Sequence, residues 1–363
     1  MSIRNLLITA LIVFQGFQGI AQEDIVNRDQ NEPRKLKIAA IPYFNYSRTI
    51  DFSYGLIAAG YYKLNSKDTI SPSSSTTLIG IYSTSKSYVA MAAQQFYFAE
   101  DTWRAKIALG TGTGNLQFYQ NFYSGGTFID YSTRMDFIIG TLSRRVSNDL
   151  FIGISAGLSN ARTEFDLDLP LTERRPVIDI PVNYLGTFVQ SDSRNNVNYP
   201  SSGHNIQVDF KTSGEWLGSE SNFNQLELTY DLYKNFGSED KVFLARYYSI
   251  SSFGDVPFVG EQTVGGDDIR GYSQGKYRDD ELYSIQAEYR HKFKSRFGLV
   301  FFGGFATVVP KITEIFENEL LPGIGTGIRY RFLEKEKINI GLDIAAGKDD
   351  WSISFRISDA FNR

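Results

Sequence analysis

Apolar and polar residues alternate strictly over several stretches of this chain. In Ser284-Ile285-Gln286-Ala287-Glu288-Tyr289-Arg290 every even position is polar and every odd one apolar. The stretches 205–210, 225–232, 339–344 and 351–358 repeat the pattern. A period of two places successive side chains on opposite faces of a strand, one face apolar and one polar. The same reading along the chain gives candidate strands at 35–46, 50–63, 75–84, 87–98, 102–112, 128–145, 148–161, 183–192, 203–214, 223–235, 241–252, 282–293, 297–308, 323–333, 337–346 and 351–358. That makes about sixteen, an even number, as single-chain bacterial membrane barrels require. The segment 115–126, with Phe118, Tyr119, Phe122 and Tyr123, reads equally as loop or as strand extension.

Alternation also occurs in soluble sandwiches, so strand length has to decide. These strands run about 9–12 residues, enough to cross a bilayer at a tilt, whereas soluble strands average about 5–6. Their polar face carries Glu227, Asp231, Glu288, Arg290, Arg329, Arg331 and Asp343. Such a face suits a watery lumen lined by mutually paired charges. The expected fold is an all-β, transmembrane, antiparallel barrel with a long extracellular loop folded into its lumen. Connections test this. With a periplasmic N-terminus, the long segments 162–182 and 253–281 fall outside the cell. The short turns at 99–101, 146–147, 294–296 and 334–336 fall on the periplasmic side, the arrangement seen in such barrels. The polar turn 64–74 is the exception, long but periplasmic.

Arg4, the apolar run 6–14 and the small residues Gly19-Ile20-Ala21 read as a signal peptide over 1–21. Residues 22–34 then form a short polar periplasmic tail, and 35–363 the barrel domain. No other segment has 18 uninterrupted apolar residues, the length of a helical span. An exported chain of this kind is expected in the outer membrane of a Gram-negative bacterium, in contact with its lipids. A content of 15% aromatic residues fits the interfacial girdles of such barrels. The absence of cysteine excludes disulfides and cysteine-ligated metals. A net charge of -4 without a basic stripe argues against nucleic acid. The histidines are His204 and His291 alone, both near strand ends on the periplasmic side. No catalytic residue, metal site or cofactor is therefore expected.

One loop stands apart. Val264-Gly265-Gly266-Asp267-Asp268-Ile269-Arg270-Gly271-Tyr272 precedes the alternating strand that carries Glu288. Upstream lie Asp192 and Arg194, then Pro200 and Gly203, which bracket a tight turn. Downstream lie Gly325-Thr326-Gly327-Ile328-Arg329-Tyr330, Asp343 and a closing strand that leads to Phe361. Together these resemble the barrel of the BamA/TamA family of outer-membrane proteins, from about residue 180 to the C-terminus. The resemblance implies that Gly265, Gly266, Arg270, Gly271 and Tyr272 form a loop that folds back into the lumen. It implies that Arg270 pairs with acidic groups on the inner wall, and Glu288 is luminal by parity, with Asp343 a more distant partner. It also implies that Phe361 serves as a recognition element for barrel assembly. Phe301-Phe302-Gly303-Gly304-Phe305 departs from the family's Phe-x-Asp-x-Gly, with Gly303 where the aspartate would stand, so one acidic anchor is expected to be missing.

By this resemblance the chain is expected to serve insertion or export of other proteins. Family members carry periplasmic domains before the barrel, and the tail 22–34 is too short for one. The resemblance is therefore to the barrel half, and protein partners in the outer membrane or periplasm are expected to supply the rest. Two other classes remain open, a diffusion channel or transporter and a structural docking subunit of an outer-membrane complex.

Overall fold

The computed structural model describes residues 37–47, 50–122, 125–166, 176–196, 199–266, 268–273, 275–333 and 337–357. The signal peptide, the tail 22–34 and Phe361 lie outside the described residues. The strands are β1 (Lys37–Ser47), β2 (Asp51–Tyr62), β3 (Ser74–Ser83), β4 (Tyr88–Phe98), β5 (Trp103–Phe122), β6 (Gly125–Arg145), β7 (Leu150–Asp166), β8 (Val177–Pro181), β9 (Tyr184–Asp192) and β10 (Gly203–Ser213). There follow β11 (Phe223–Asn235), β12 (Lys241–Gly254), β13 (Gln262–Thr263), β14 (Arg278–Asp279), β15 (Glu281–Lys292), β16 (Phe297–Val309), β17 (Leu321–Leu333), β18 (Ile338–Gly347) and β19 (Asp350–Ile357). Among the described residues, sixteen of these pair antiparallel into one closed barrel, all but β8, β13 and β14. The ring closes where β1 meets β19, through residues 45–47 facing 352–354.

Sixteen strands are what the alternation led us to expect, but three segments differ from the sequence reading. In the ambiguous stretch the described residues 115–122 and 125–126 are strand: β5 and β6 run together as a ladder from Trp103↔Arg144 to Phe122↔Gly125. The connection expected over 162–182 is shorter, because β7 continues to Asp166 and β8 pairs back onto it. The connection 253–281 is not structureless either, since β13 and β14 pair within it.

Why these residues make a membrane barrel is visible on the outer face. Leu56, Leu78, Leu109, Ile154, Leu158, Phe301, Ile324 and Leu342 all point outward and are exposed. Such a continuous apolar belt would be an aggregation liability in water and fits hydrocarbon. No helix among the described residues is long and apolar enough to cross a membrane; strands do the crossing.

The inner wall divides in two, and the paired charges expected to line a watery lumen occupy one half of it. On β2–β6 it is largely apolar, with Ile57, Ile79, Val89, Met91, Met135 and Phe137 buried. Val259 joins that cluster and Phe258 packs against it, both from the connection before β13. On β11–β18 the inner face carries Asp231, Arg246, Gln286, Glu288, Arg290, Arg329 and Asp343, all buried. Arg246 and Asp231 form a two-pronged pair at 2.5 and 2.8 Å.

The long turn between β2 and β3 has a local cause. Ala99, Glu100 and Asp101 are all left-handed, with φ of 55, 56 and 57°, a costly backbone for residues with a Cβ. Asp68 on the neighbouring turn accepts from the Glu100 amide at 3.0 Å, and the Ser71 hydroxyl accepts from the Asp101 amide at 2.7 Å. The extra residues thus supply the acceptors that hold the next turn.

Candidate functional site

The site lies on the charged half of the inner wall. The connection between β12 and β15 turns back over it, and Val264, Ile269, Arg270 and Tyr272 are buried there. Gly265 and Gly266 take φ of 122 and 85°. Gly271 takes φ 105°, and a Cβ on it would stand 2.7 Å from the Ala346 carbonyl carbon. Only glycine fits both that backbone and that approach. The next two residues are tied to the far wall. The Tyr272 hydroxyl donates to the Pro322 carbonyl at 2.6 Å and accepts from the Lys348 amide at 2.8 Å. The Ser273 amide and hydroxyl both donate to Asp350, at 2.6 and 3.1 Å.

Arg270 is the centre of this arrangement. Its Nη1 lies 2.7 Å from Glu288 Oε2 and 3.1 Å from Asp343 Oδ2. Its Nε donates to Gln286 at 2.9 Å. The guanidinium carbon sits 3.3 Å from the centre of the Phe302 ring. Glu288 also holds Arg290 at 2.8 Å. Asp343 also accepts from Arg329 and, at 3.0 Å, from Arg356 on β19. Four guanidinium groups therefore share two carboxylates in a site removed from water, where charge-assisted hydrogen bonds are strongest. The arrangement holds a fixed loop.

Asp343 is as direct a partner of Arg270 as Glu288, not a distant one. Position 303 also needs correcting. Phe301 and Phe305 are exposed and Phe302 is buried, so by parity residue 303 points outward. An aspartate there would face lipid, and Gly303 removes no anchor. The inward residues that flank Gly303 are Phe302, which stacks on the arginine, and Gly304, where a Cβ would press on Ile269 at 3.1 Å. Sequence reasoning assigned no role to Phe302, Gln286 or Arg356. Inward parity was the signal available for each.

The second motif sits at the short-turn end of the same wall. Arg194 grips Asp192 with both Nε and Nη2 at 2.8 Å. Gly203 has φ 99° where the chain enters β10, and Pro200 is buried. Between them the turn inserts Tyr199 into the barrel, under Arg290 at 4.6 Å and Arg331 at 5.1 Å. Arg290 thus touches both Glu288 and Tyr199, which joins the two motifs. His204 belongs to this turn, its Nδ1 2.9 Å from the Ser193 hydroxyl, while His291 packs edge-on against Phe293.

A closed sixteen-stranded barrel with an arginine-anchored loop inside it defines a class of outer-membrane-type barrels. Within that class, residues 183–332 match the model of the Omp85 superfamily domain. The match runs from β9 into β17, less than half of the chain, and the fold is similar to those of solved BamA and CdiB barrels. It is similar to BamA from Haemophilus ducreyi lacking POTRA domains 1-3, at 12% identity and TM-score 0.59, over 97% of this chain and 77% of that one. CdiB from Escherichia coli matches at 10% identity and TM-score 0.61, over 96% of this chain and 70% of that one. CdiB from Acinetobacter baumannii matches at 12% identity and TM-score 0.57; 88% of this chain covers 59% of it. Likeness at these identities speaks to fold. No curated protein matches the chain by sequence.

Proposed function

We propose that this barrel sits in the outer membrane of a Gram-negative bacterium and assists insertion or export of other proteins, together with partner proteins there or in the periplasm. In this reading the long-loop end faces outward. The observation that carries it is the closure between β1 and β19. Among the described residues β1 and β19 match over 45–47 with 352–354, which sets the first and last strands of the barrel side by side. No turn joins the first and last strands, so this seam can part without stretching a connection, and an opened seam exposes strand edges to a client. Arg356 ties β19 to Asp343, and so to Arg270. The loop anchor and the seam strand therefore share one carboxylate.

A diffusion channel fits less well. It needs an open polar lumen, whereas half the inner wall is apolar and the anchored loop lies on the other half. Depleting the protein and quantifying all other outer-membrane proteins tests the proposal. Broad loss of barrel proteins, or loss of one exported class, supports it. Unchanged levels of both would refute it and favour a structural role.

A further inference from the structure

We propose that the outer edge of β5 over 116–122 is a strand-addition site for an extended polypeptide segment outside the cell. β5 is 20 residues long, about 66 Å at ~3.3 Å per residue. A tilted strand needs about 9–11 residues to cross the hydrocarbon. β4 pairs with β5 only from Trp103 to Thr113, which accounts for the crossing. The rest of β5 stands clear of the bilayer at the long-loop end, paired on one side with β6. Among the described residues no strand pairs with its other side.

The direction of the unused groups follows from one hydrogen bond. The Asn115 amide donates to the Ser87 hydroxyl at 2.9 Å, away from β6. The β5–β6 ladder continues without a register shift, and in an antiparallel pair the sense alternates at each residue. The main-chain groups of Gln117, Tyr119 and Asn121 therefore point to the open side.

Edges of this kind are normally blunted by charge or proline. The other edge of the same projecting sheet is β8, five residues long with Asp179 and Pro181 in it. The β5 edge reads Leu116-Gln117-Phe118-Tyr119-Gln120-Asn121-Phe122, with no charge, no proline and no glycine. Such a segment favours strand pairing. One side of the sheet is protected and the other is left open.

A second copy of the barrel is the poorer occupant. Two barrels in one membrane both run β5 outward, so their edges would meet in the parallel sense, with strands crossing through their tilts. A free extended segment can lie antiparallel, the more stable pairing, and main-chain recognition of this kind is a recurrent mode of peptide binding. This inference uses the orientation proposed above but not the seam.

The test uses the full chain in detergent micelles. The chain has no cysteine, so Gln120→Cys gives a single thiol. The probe is a peptide of alternating threonine and valine with one central cysteine activated as a mixed disulfide, alongside a twin N-methylated at alternate residues. We expect the unmodified peptide to couple at least tenfold faster than its twin. Adding Tyr119→Pro should abolish that difference. Proline suits an edge whose N–H faces out, so heat-modifiable gel mobility should still show a folded barrel. Equal rates for the two peptides would overturn the proposal, as would a difference that survives Tyr119→Pro. Predominant disulfide dimers of Gln120→Cys in native membranes would overturn it in favour of a second copy. Because β5 is remote from the β1–β19 closure, these outcomes leave the depletion experiment independent.

Discussion

Replacing Arg270 with alanine should release the loop from the inner wall without unfolding the barrel. The substitution removes two ion pairs, the hydrogen bond to Gln286 and the stacking on Phe302. Taking one partner from a buried pair costs about 3–5 kcal/mol when the other charge is stranded. Here Glu288 keeps Arg290 and Asp343 keeps Arg329 and Arg356, so the low end applies, ~3 kcal/mol. That corresponds to roughly a hundredfold in the docking equilibrium. Amide hydrogen exchange of the purified protein reads this directly. Amides at 264–273 should exchange about a hundredfold faster, while those of β15 and β18 change little. Arg270→Lys should fall between, since an ammonium keeps the charge but not the fork that reaches two carboxylates and Gln286. Exchange at 264–273 within threefold of wild type in Arg270→Ala would refute the reasoning, because the loop would then be held by something other than this cluster.

Gly271→Ala should free the same amides, since φ 105° and the approach to Ala346 both oppose a Cβ; a cost of about 2 kcal/mol is expected, read by the same exchange measurement. Arg246→Met strands the buried Asp231 carboxylate and should lower stability by ~3–5 kcal/mol in denaturant unfolding, whereas Asp231→Leu with Arg246→Met should recover most of it. Asp68 on the β2–β3 turn should make that turn acid-sensitive. Burial pushes its carboxyl up, but hydrogen bonds from Ser71, Glu100 and Ile70 outweigh this and pull it down to about 2 from 3.8. A depressed carboxyl stabilises fully above its unfolded value and loses that contribution as pH falls through its folded one. Proteolysis within 63–73 should therefore rise between about pH 4 and 2, and Asp68→Asn should flatten the dependence.

The barrel was legible because lipid demands an apolar outer face, and where the inner face is polar, as on β11, β15 and β18, the strand shows a strict period of two. Glu288 was legible for the same reason: parity alone put it inside, next to the loop that carries Arg270. Asp343 was read only as a more distant partner, since β18 lies three strands from β15 and only the loop's path across the lumen brings it to 3.1 Å from Arg270. The apolar inner wall was hidden because in β2–β6 both faces are apolar, as in Leu56-Ile57 and Ile138-Ile139, and alternation cannot then tell lipid from lumen. The reading of Gly303 failed by a single position. Comparison by motif placed an acidic anchor there, whereas a shift of one residue on a strand exchanges its faces, and the inward residue is Phe302. β8 was missed because five residues around Asp179 and Pro181 read as loop. The extended β5–β6 hairpin stayed ambiguous because Gln and Asn interrupt its aromatic residues.

The central claim is that the seam between β1 and β19 must open for this barrel to act. Asn45 and Ser354 face each other across it, and the chain has no native cysteine to interfere. Cells depleted of the wild type and supplied with Asn45→Cys/Ser354→Cys should be followed by quantitative measurement of the remaining outer-membrane and exported proteins, with and without a reductant. With the disulfide formed, the account predicts the same losses as depletion itself, reversed on reduction. Normal protein levels with the seam locked would contradict it.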